Sequence, residues 1–225
     1  MFINKIGTHH LEYGENCQDF GKYETLDDDI YKVHKLVCDG CSEGKHTEVG
    51  AKLFTLMNTS PGTVGVDMQK LVNAIGSDPS TIRDLLCFTI LDIWDIYSSE
   101  EDYNVFSLHY CGDGYVITQD HEDNINFIKI DDGEFPKYYA YNFINDKSKL
   151  SHYQDGVEFT HRIFKKSEYK NVGVASDGIR YIVNCEDENL KNEFIDILKQ
   201  NKEIKMKRFI NKHQSIFKDD VTISF

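Results

Sequence analysis

Short runs of alternating apolar and polar residues recur along this chain, and stretches with helical spacing lie between some of them. Residues 30–38, IYKVHKLVC, alternate and then become apolar, which predicts a strand that enters a core and ends at Asp39-Gly40. Residues 46–58 follow with apolar positions at helical intervals: Val49, Leu53 and Leu56. The pattern therefore predicts a strand, a turn and a helix in that order.

A second helix is predicted from Ser80 to Tyr97. Ser80 suits the N-cap, and the apolar residues after it share one helical stripe: Ile82, Leu86, Ile90, Ile93 and Tyr97. Further apolar residues widen this stripe: Leu85, Phe88, Leu91 and Trp94. We therefore expect a helix that is buried on most sides and packs on a sheet.

The second half of the chain has a pattern typical of strands. Residues 104–120 predict two strands joined at Gly112-Asp113-Gly114, because Asp-Gly between alternating apolar runs is a strong hairpin signal. Further strands are expected at 125–130, 158–164, 171–176 and 221–225, and helices at 188–200 and 204–217. Strands that arrive in runs, with helices clustered between them, predict an α+β fold with mixed or antiparallel sheets.

The polar segment 131–156 interrupts this pattern. Connections of such length are usually functional or mobile, so we predict a surface flap there. The chain has 225 residues, of which 40 % are hydrophobic, and its sequence contains no repeat or low-complexity tract. These properties predict a single globular domain over residues 1–225.

Charge and cysteine content narrow the class of function. A formal charge of −13 argues against nucleic acid as a partner, since binding a phosphate backbone depends on clustered Lys and Arg. The six cysteines are scattered, the N-terminus MFINKIGTHH has no apolar signal core, and no apolar run is long enough to span a membrane. We therefore expect reduced thiols in a cytoplasmic protein without a membrane partner.

The stretch VCDGCSEGKHTEVGAKL, residues 37–53, offers three kinds of chemistry. It does not match the phosphate-binding loop G-x-x-x-x-G-K-[ST], because its glycines are one residue too close and the hydroxyl residue is displaced. Cys38 and Cys41 have Cys-x-x-Cys spacing, but the other cysteines supply no second pair for zinc, so we interpret Cys38 as a core residue. Asp39, followed by Gly40, remains as a candidate ligand at a strand end.

Asp39 is one of several acids that follow an apolar run: Asp39, Asp113, Asp177, and Asp219 with Asp220. Each Asp-Gly pair on its own is equally well explained as a turn. Carboxylates gathered at one end of a sheet repel one another unless a cation holds them, and Mg²⁺ and Mn²⁺ prefer oxygen ligands. Together these acids predict a shared site for divalent metal ions.

Five motifs follow one another along the chain: GTHHLEYGENCQDF, VCDGCSEGKHTEVGAKL, CGDGYVI, ASDGIRYI and DDVTISF. In this order and spacing the chain resembles the bacterial branch of the metal-dependent protein phosphatase 2C family, from Gly7 to Phe225. The resemblance implies a four-layer α-β-β-α sandwich, with two antiparallel sheets flanked by helices. It also implies a dinuclear Mn²⁺ or Mg²⁺ centre in a cleft at one end, overhung by the flap at 131–156.

The resemblance assigns roles to individual metal ligands. Asp39 corresponds to the carboxylate that bridges the two metals, and the Gly40 carbonyl to the ligand of the second metal beside it. Asp177 and Asp219 correspond to the remaining ligands of the first metal. Asp113 corresponds to the acid of a weaker third metal site.

Other positions of the resemblance concern the catalytic residues. Asp19, in CQD, corresponds to an acid near the metal-bound waters, and Gln18 precedes it where many members have glutamate. Cys41 stands where eukaryotic members often have a histidine proposed as general acid, so the leaving-group proton would come from metal-bound water or His46. The arginine that often holds substrate phosphate is missing, and His10 is the candidate to replace it.

The implied function is hydrolysis of phosphoserine or phosphothreonine in a protein, by attack of a hydroxide that bridges the two metals. The partners would be a phosphorylated protein and a serine/threonine kinase that the enzyme opposes. Two other functions stay open. One is a binding or regulatory module that keeps the fold with little or no activity, and the other is hydrolysis of a small phosphorylated metabolite.

Overall fold

The computed structural model describes residues 1–99, 103–130, 136–144 and 156–225. Its strands are β1 (Phe2–Lys5), β2 (Phe20–Thr25), β3 (Tyr31–Gly40), β4 (Phe88–Ile96), β5 (Val105–Cys111), β6 (Gly114–Asp120), β7 (Ile125–Ile130), β8 (Thr160–Lys165), β9 (Tyr169–Ala175) and β10 (Val221–Ser224). Its α-helices are α1 (Thr8–Tyr13), α2 (Thr47–Met57), α3 (Val64–Ile75), α4 (Pro79–Leu86), α5 (Arg180–Val183), α6 (Glu188–Lys199) and α7 (Glu203–Lys212). None of the helices in these ranges is long and apolar enough to cross a membrane.

The strands form two antiparallel sheets of five strands each. The first sheet has the order β1-β10-β9-β6-β7, and the second has the order β2-β3-β4-β5-β8. Helices α5, α6 and α7 pack on the first sheet, whereas α2, α3 and α4 pack on the second. The predicted α+β class and the four-layer α-β-β-α arrangement are therefore confirmed.

Three apolar clusters fill the spaces between the four layers. The cluster between the first sheet and its helices includes Ile223, Phe194 and Phe209. The cluster between the two sheets includes Val37, Leu91, Leu108, Val116 and Val174. The cluster between the second sheet and its helices includes Leu36, Ile90, Phe54, Met68 and Ile82. Odd and even positions of β3 thus serve different cores, as expected when successive side chains of a strand point to opposite faces.

The helix predicted from Ser80 to Tyr97 is wrong in its second half. Helix α4 ends at Leu86, and β4 begins at Phe88 as the central strand of the second sheet. The N-cap is Asp78, whose carboxylate accepts hydrogen bonds from the backbone N–H groups of the first turn. Because β4 is covered on both faces, its apolar run lacks the alternation that distinguishes a strand from a buried helix.

The hairpin predicted at Gly112-Asp113-Gly114 is also wrong. Strand β5 pairs with β4 and β8 in the second sheet, whereas β6 pairs with β7 and β9 in the first. Gly112 and Asp113 therefore carry the chain from one sheet to the other. Gly112 has φ +99°, and a Cβ at this position would lie 2.3 Å from Thr89 Oγ1, so only glycine suits this crossing.

The apolar stripe that predicted α2 lies on its exposed face. The helix itself is confirmed at Thr47–Met57, but Leu56 is 65 % exposed and the rest of the stripe is partly exposed as well. The core-facing side of α2 is formed by smaller residues around one aromatic ring: Thr47, Gly50, Ala51, Phe54 and Thr55. Small residues there allow the helix to approach the second sheet and α4 closely.

A lysine lies buried between the two sheets. Lys35 on β3 is 2 % exposed, and its ammonium group donates to the Asn171 side chain and, at 2.6 Å, to the Val172 carbonyl on β9. Burial lowers the pKa of Lys35 to about 7, since the charged form loses its hydration. The side chain ties the second sheet to the first.

This lysine should give the protein a measurable pH dependence of stability. Between pH 7 and 10.5 the unfolded chain binds a proton at Lys35 that the folded protein does not, so the free energy of unfolding rises with pH in this window. Relative to Lys35→Met, we expect the wild type to gain about 2–4 kcal/mol between pH 7 and 10. Urea denaturation at a series of pH values measures this gain. Lys212→Met, at an exposed lysine, is the control; parallel curves for wild type and Lys35→Met would contradict the prediction.

The sheet crossing gives a second prediction. Gly112→Ala should lower the free energy of unfolding by about 3–5 kcal/mol, because it adds a steric clash to an unfavourable backbone conformation. Gly76→Ala is a matched control: Gly76 has φ +98° but nothing within 4 Å of the added Cβ. We expect a cost of about 1–2 kcal/mol there. Equal losses in chemical denaturation would show that contact with Thr89 does not constrain the crossing.

Candidate metal centre

Strand ends from both sheets meet at one end of the sandwich around a cleft of about 160 Å³. Six of the predicted site residues line this cleft: His10, Asp39, Gly40, Asp113, Asp177 and Asp219. The seventh, Asp19, is buried behind the cleft, with its carboxyl group beside that of Asp39. The fold thus brings together residues that are spread over most of the sequence.

Asp39 and Gly40 are the last two residues of β3. A Cβ on Gly40 would lie 2.5 Å from the hydroxyl oxygen of Thr47, which is the first residue of α2. That hydroxyl donates to the Cys41 carbonyl at 3.2 Å. Glycine therefore lets the start of α2 pack against the end of the strand, and this contact fixes the position of Asp39.

Asp113 is held by a threonine that the sequence did not indicate. Thr89 on β4 donates its hydroxyl to Asp113 Oδ1 at 3.1 Å and accepts the Asp113 N–H at 3.2 Å. The stretch around Thr89 was predicted as helix, so no contact with the crossing was expected. In the sequence, the polar residue Thr89 within the otherwise apolar run 85–91 is the feature that could have indicated this contact.

Asp177 and Asp219 come from the first sheet and share a basic partner. Asp177 opens a short 3₁₀ turn after β9, and Asp219 precedes β10. Arg180 contacts the Asp177 carboxylate through Nη1, and its Nη2 lies 3.1 Å from Asp219 Oδ2. Sequence analysis did not identify Arg180, although its position three residues after Asp177 in a helical turn favours such a pair.

Asp220, next to Asp219, also borders the cleft but is far more buried than its neighbour. Its side chain is 1 % exposed and accepts the N–H groups of Gly7 at 2.7 Å and Gln18 at 2.6 Å. His10 Nδ1 lies 2.9 Å from the same carboxylate. Burial alone would lower the pKa of His10, but the hydrogen bond and charge of Asp220 outweigh it and raise that pKa. Asp220 thus fastens the N-terminal segment to the wall of the cleft.

The inner acids have strongly perturbed protonation. Burial, followed by the charge of Asp19, raises the pKa of Asp39 well above its usual range. Burial, followed by the charge of Asp220, raises the pKa of Asp19 in the same way. Carboxyl groups this close resist ionising together, and a nearby cation would favour their charged forms.

The donor set matches the chemistry of hard divalent cations. Four carboxylates and the Gly40 carbonyl offer oxygen ligands, and Asp19 Oδ2 is a buried oxygen with no hydrogen-bond partner among the described residues. As placed in the described ranges, no three acidic, histidine or cysteine side chains converge on one point that could hold an ion. Two of the carboxylates are turned towards Arg180 instead.

Known structures match the chain over almost its whole length. The serine/threonine phosphatase Stp1 from Staphylococcus aureus has a TM-score of 0.58 and 14 % identity, covering 99 % of this chain and 92 % of that chain. RsbX in complex with magnesium has a TM-score of 0.57 and 12 % identity, covering 99 % and 90 %. PppA, a regulatory component of T6SS in Pseudomonas aeruginosa, has a TM-score of 0.54 and 10 % identity, covering 99 % and 94 %. The chain has the protein phosphatase 2C fold.

No family model and no curated protein sequence matches the chain. The similarity to the phosphatase structures therefore establishes the fold, and the activity has to be argued from the cleft. A larger groove of about 570 Å³ between α6 and α7 contains none of the predicted site residues.

The rest of the cleft wall includes a cysteine and a tyrosine. Cys41 and Tyr138 both line it. Tyr138 is 7 % exposed, and burial, followed by the charges of Cys41 and Asp39, raises its pKa. Tyr138 belongs to the segment predicted as a flap. Residues 131–135 and 145–155 of that segment lie outside the described residues, so the flap stays a prediction.

Two alternatives considered from the sequence find no support in the cleft. Cys38 is buried beneath α2, where its thiol accepts from the Thr55 hydroxyl at 3.7 Å, and no disulfide joins any of the six cysteines, all of which lie in the described ranges. His46, considered as a proton donor, is 65 % exposed and lies 3.7 Å from Glu48. The described residues that line the cleft do not include it.

The two adjacent acids near the C-terminal end should differ in their effect on stability. Asp220→Ala leaves two buried N–H groups and His10 without their acceptor, so we expect a loss of about 2–4 kcal/mol in the free energy of unfolding. Asp219→Ala removes a partly exposed carboxylate and should cost less than about 1 kcal/mol. Urea denaturation in EDTA compares them without a metal contribution. Similar losses for both variants would contradict the division of roles.

Proposed function

We propose that this chain is a metal-dependent serine/threonine protein phosphatase that uses two Mn²⁺ or Mg²⁺ ions and a weaker third ion near Asp113. The observation that carries the proposal is the meeting of four cleft carboxylates and the Gly40 carbonyl at the strand ends of a fold found in serine/threonine phosphatases. The magnesium in RsbX, which has the same fold, supports this choice of cation.

The proposed ligand set is the one that the resemblance to the protein phosphatase 2C family implies. Asp39 would bridge two cations, with the Gly40 carbonyl as a further ligand of one and Asp177 and Asp219 as ligands of the other. When bound, such cations supply Lewis acidity, neutralise charge on phosphoryl oxygens and lower the pKa of a coordinated water. They also bring positive charge to a chain whose formal charge is −13.

Other residues of the cleft orient the ligands and the substrate. Asp19 lies beside Asp39, and in the metal-free protein it can accept a hydrogen bond from the protonated Asp39 carboxyl group and so hold that group in place. His10 is held by Asp220 with a raised pKa, and its protonated form places a positive charge where substrate phosphate would bind. Because His46 lies outside the cleft wall, the leaving-group proton has to come from water or from a residue of that wall.

The substrate that best fits this site is a phosphorylated protein, with a serine/threonine kinase acting on the same target. Cytoplasmic location belongs to the same proposal. One observation favours the alternative of a weakly active binding module: Arg180 already occupies Asp177 and Asp219. Turnover in excess Mn²⁺ distinguishes the enzyme from the binding module.

The test is hydrolysis of p-nitrophenyl phosphate and of a phosphothreonine peptide with Mn²⁺, and again with EDTA. We expect activity with Mn²⁺, its loss in EDTA, and a decrease of about a hundredfold or more for Asp39→Asn. Asp196→Asn, on the exposed side of α6, is the matched control and should retain full activity. Activity that persists in EDTA or in Asp39→Asn would refute the metal mechanism. Absence of turnover of both substrates in excess Mn²⁺ would favour the binding module.

A further inference from the structure

An arginine lies at the rim of the acidic cleft and reaches two of the proposed metal ligands. Arg180, the first residue of α5, contacts Asp177 through one nitrogen, and its Nη2 lies 3.1 Å from Asp219 Oδ2. The side chains are 38 % exposed for Arg180, 26 % for Asp177 and 38 % for Asp219. The guanidinium group thus bridges two carboxylates at a place open to solvent and ions.

Arg180 and a metal ion would compete for the same carboxylate groups. A divalent cation of this kind binds carboxylate oxygens at about 2.0–2.2 Å, and the two contacts of Arg180 use Oδ2 of each aspartate. A guanidinium group left within about 4 Å of the ion would also be repelled by it. Arginine stays protonated at all ordinary pH values, so loss of a proton cannot relieve this conflict.

The Arg180 side chain also contacts the neighbouring Tyr181. Its guanidinium carbon lies 4.9 Å from the centre of the Tyr181 ring, and Nη2 donates to the Tyr181 hydroxyl at 3.3 Å. A guanidinium group that leaves the carboxylates can therefore keep its aromatic partner and gain contact with water at the rim. The displacement requires rotation of a partly exposed side chain, and no change of the buried core.

On the basis of the proposed function, we infer that Arg180 is a built-in competitor of the divalent cation at Asp177 and Asp219. Without metal, the guanidinium group neutralises two acids that would otherwise repel their neighbours. Metal binding displaces it, so the apparent affinity for the ion is lowered by the strength of the two ion pairs. The arginine is thus a residue that sets metal affinity and stabilises the metal-free protein.

Calorimetric titration with MnCl₂ tests the competition directly. Arg180→Ala should bind Mn²⁺ with a dissociation constant about five- to tenfold lower than that of the wild type, in line with loss of two partly exposed ion pairs. Arg180→Lys, which keeps a charge but cannot bridge both carboxylates, should lie between them. Arg208→Ala, at an exposed arginine of α7, is the control and should match the wild type.

Thermal unfolding supplies a second readout that does not depend on activity. In EDTA, Arg180→Ala should melt several degrees below the wild type, because the acids lose their counter-charge, and saturating Mn²⁺ should remove this difference. A general packing defect would persist with metal. An unchanged or weaker Mn²⁺ affinity in Arg180→Ala would overturn the inference while leaving the proposed function intact. If neither protein binds Mn²⁺, the proposed function fails and the inference fails with it.

Discussion

Repulsion between carboxylates is the constraint on which one end of this sandwich depends. Six aspartates meet there: Asp19, Asp39, Asp113, Asp177, Asp219 and Asp220. Charges a few ångströms apart in a poorly solvated cleft interact by several kcal/mol, so each acid needs a donor, a counter-charge or a proton. Most features of the cleft supply one of these: the backbone N–H groups on Asp220, the Thr89 hydroxyl on Asp113, Arg180 at the rim, and the raised pKa of Asp39.

Buried and partly exposed acids meet this constraint in different ways. Asp220 is compensated by groups of the fold that cannot leave, whereas Asp219 is paired with an arginine side chain that can rotate away. The two residues are neighbours in one Asp-Asp pair. The Asp220 side chain is 1 % exposed and the Asp219 side chain 38 %, although both border the cleft. One acid of the pair therefore anchors the fold, and the other stays available for the proposed metal ligation.

The sequence predicted the acid motifs of the cleft. It did not predict features that depend on contacts between segments distant in the chain. The order of the acid motifs located every residue of the proposed ligand set in one cleft. The stretch 88–96 was mistaken for helix because a central strand is buried on both faces and lacks the alternation of a half-buried strand. The Gly-Asp-Gly segment was mistaken for a hairpin because a glycine with positive φ suits both a turn and a crossing between sheets. Thr89 and Tyr138 act through contacts distant in sequence, which periodicity does not encode.

The corrected topology also changes how the site is built. Asp39 lies at the end of β3 and Asp113 follows β5, both in the second sheet, whereas Asp177 follows β9 and Asp219 precedes β10 in the first. The proposed ligands thus lie on both sides of the packing interface between the sheets, above an apolar cluster that includes Val37, Leu91 and Val174. Protein interiors are close-packed, so this cluster fixes the separation of the two sheets. The distances between the proposed ligands are therefore set by the volume of the apolar cluster between the sheets as well as by the loops that carry the acids. A hairpin at 112–114 would instead have kept Asp113 within a single sheet.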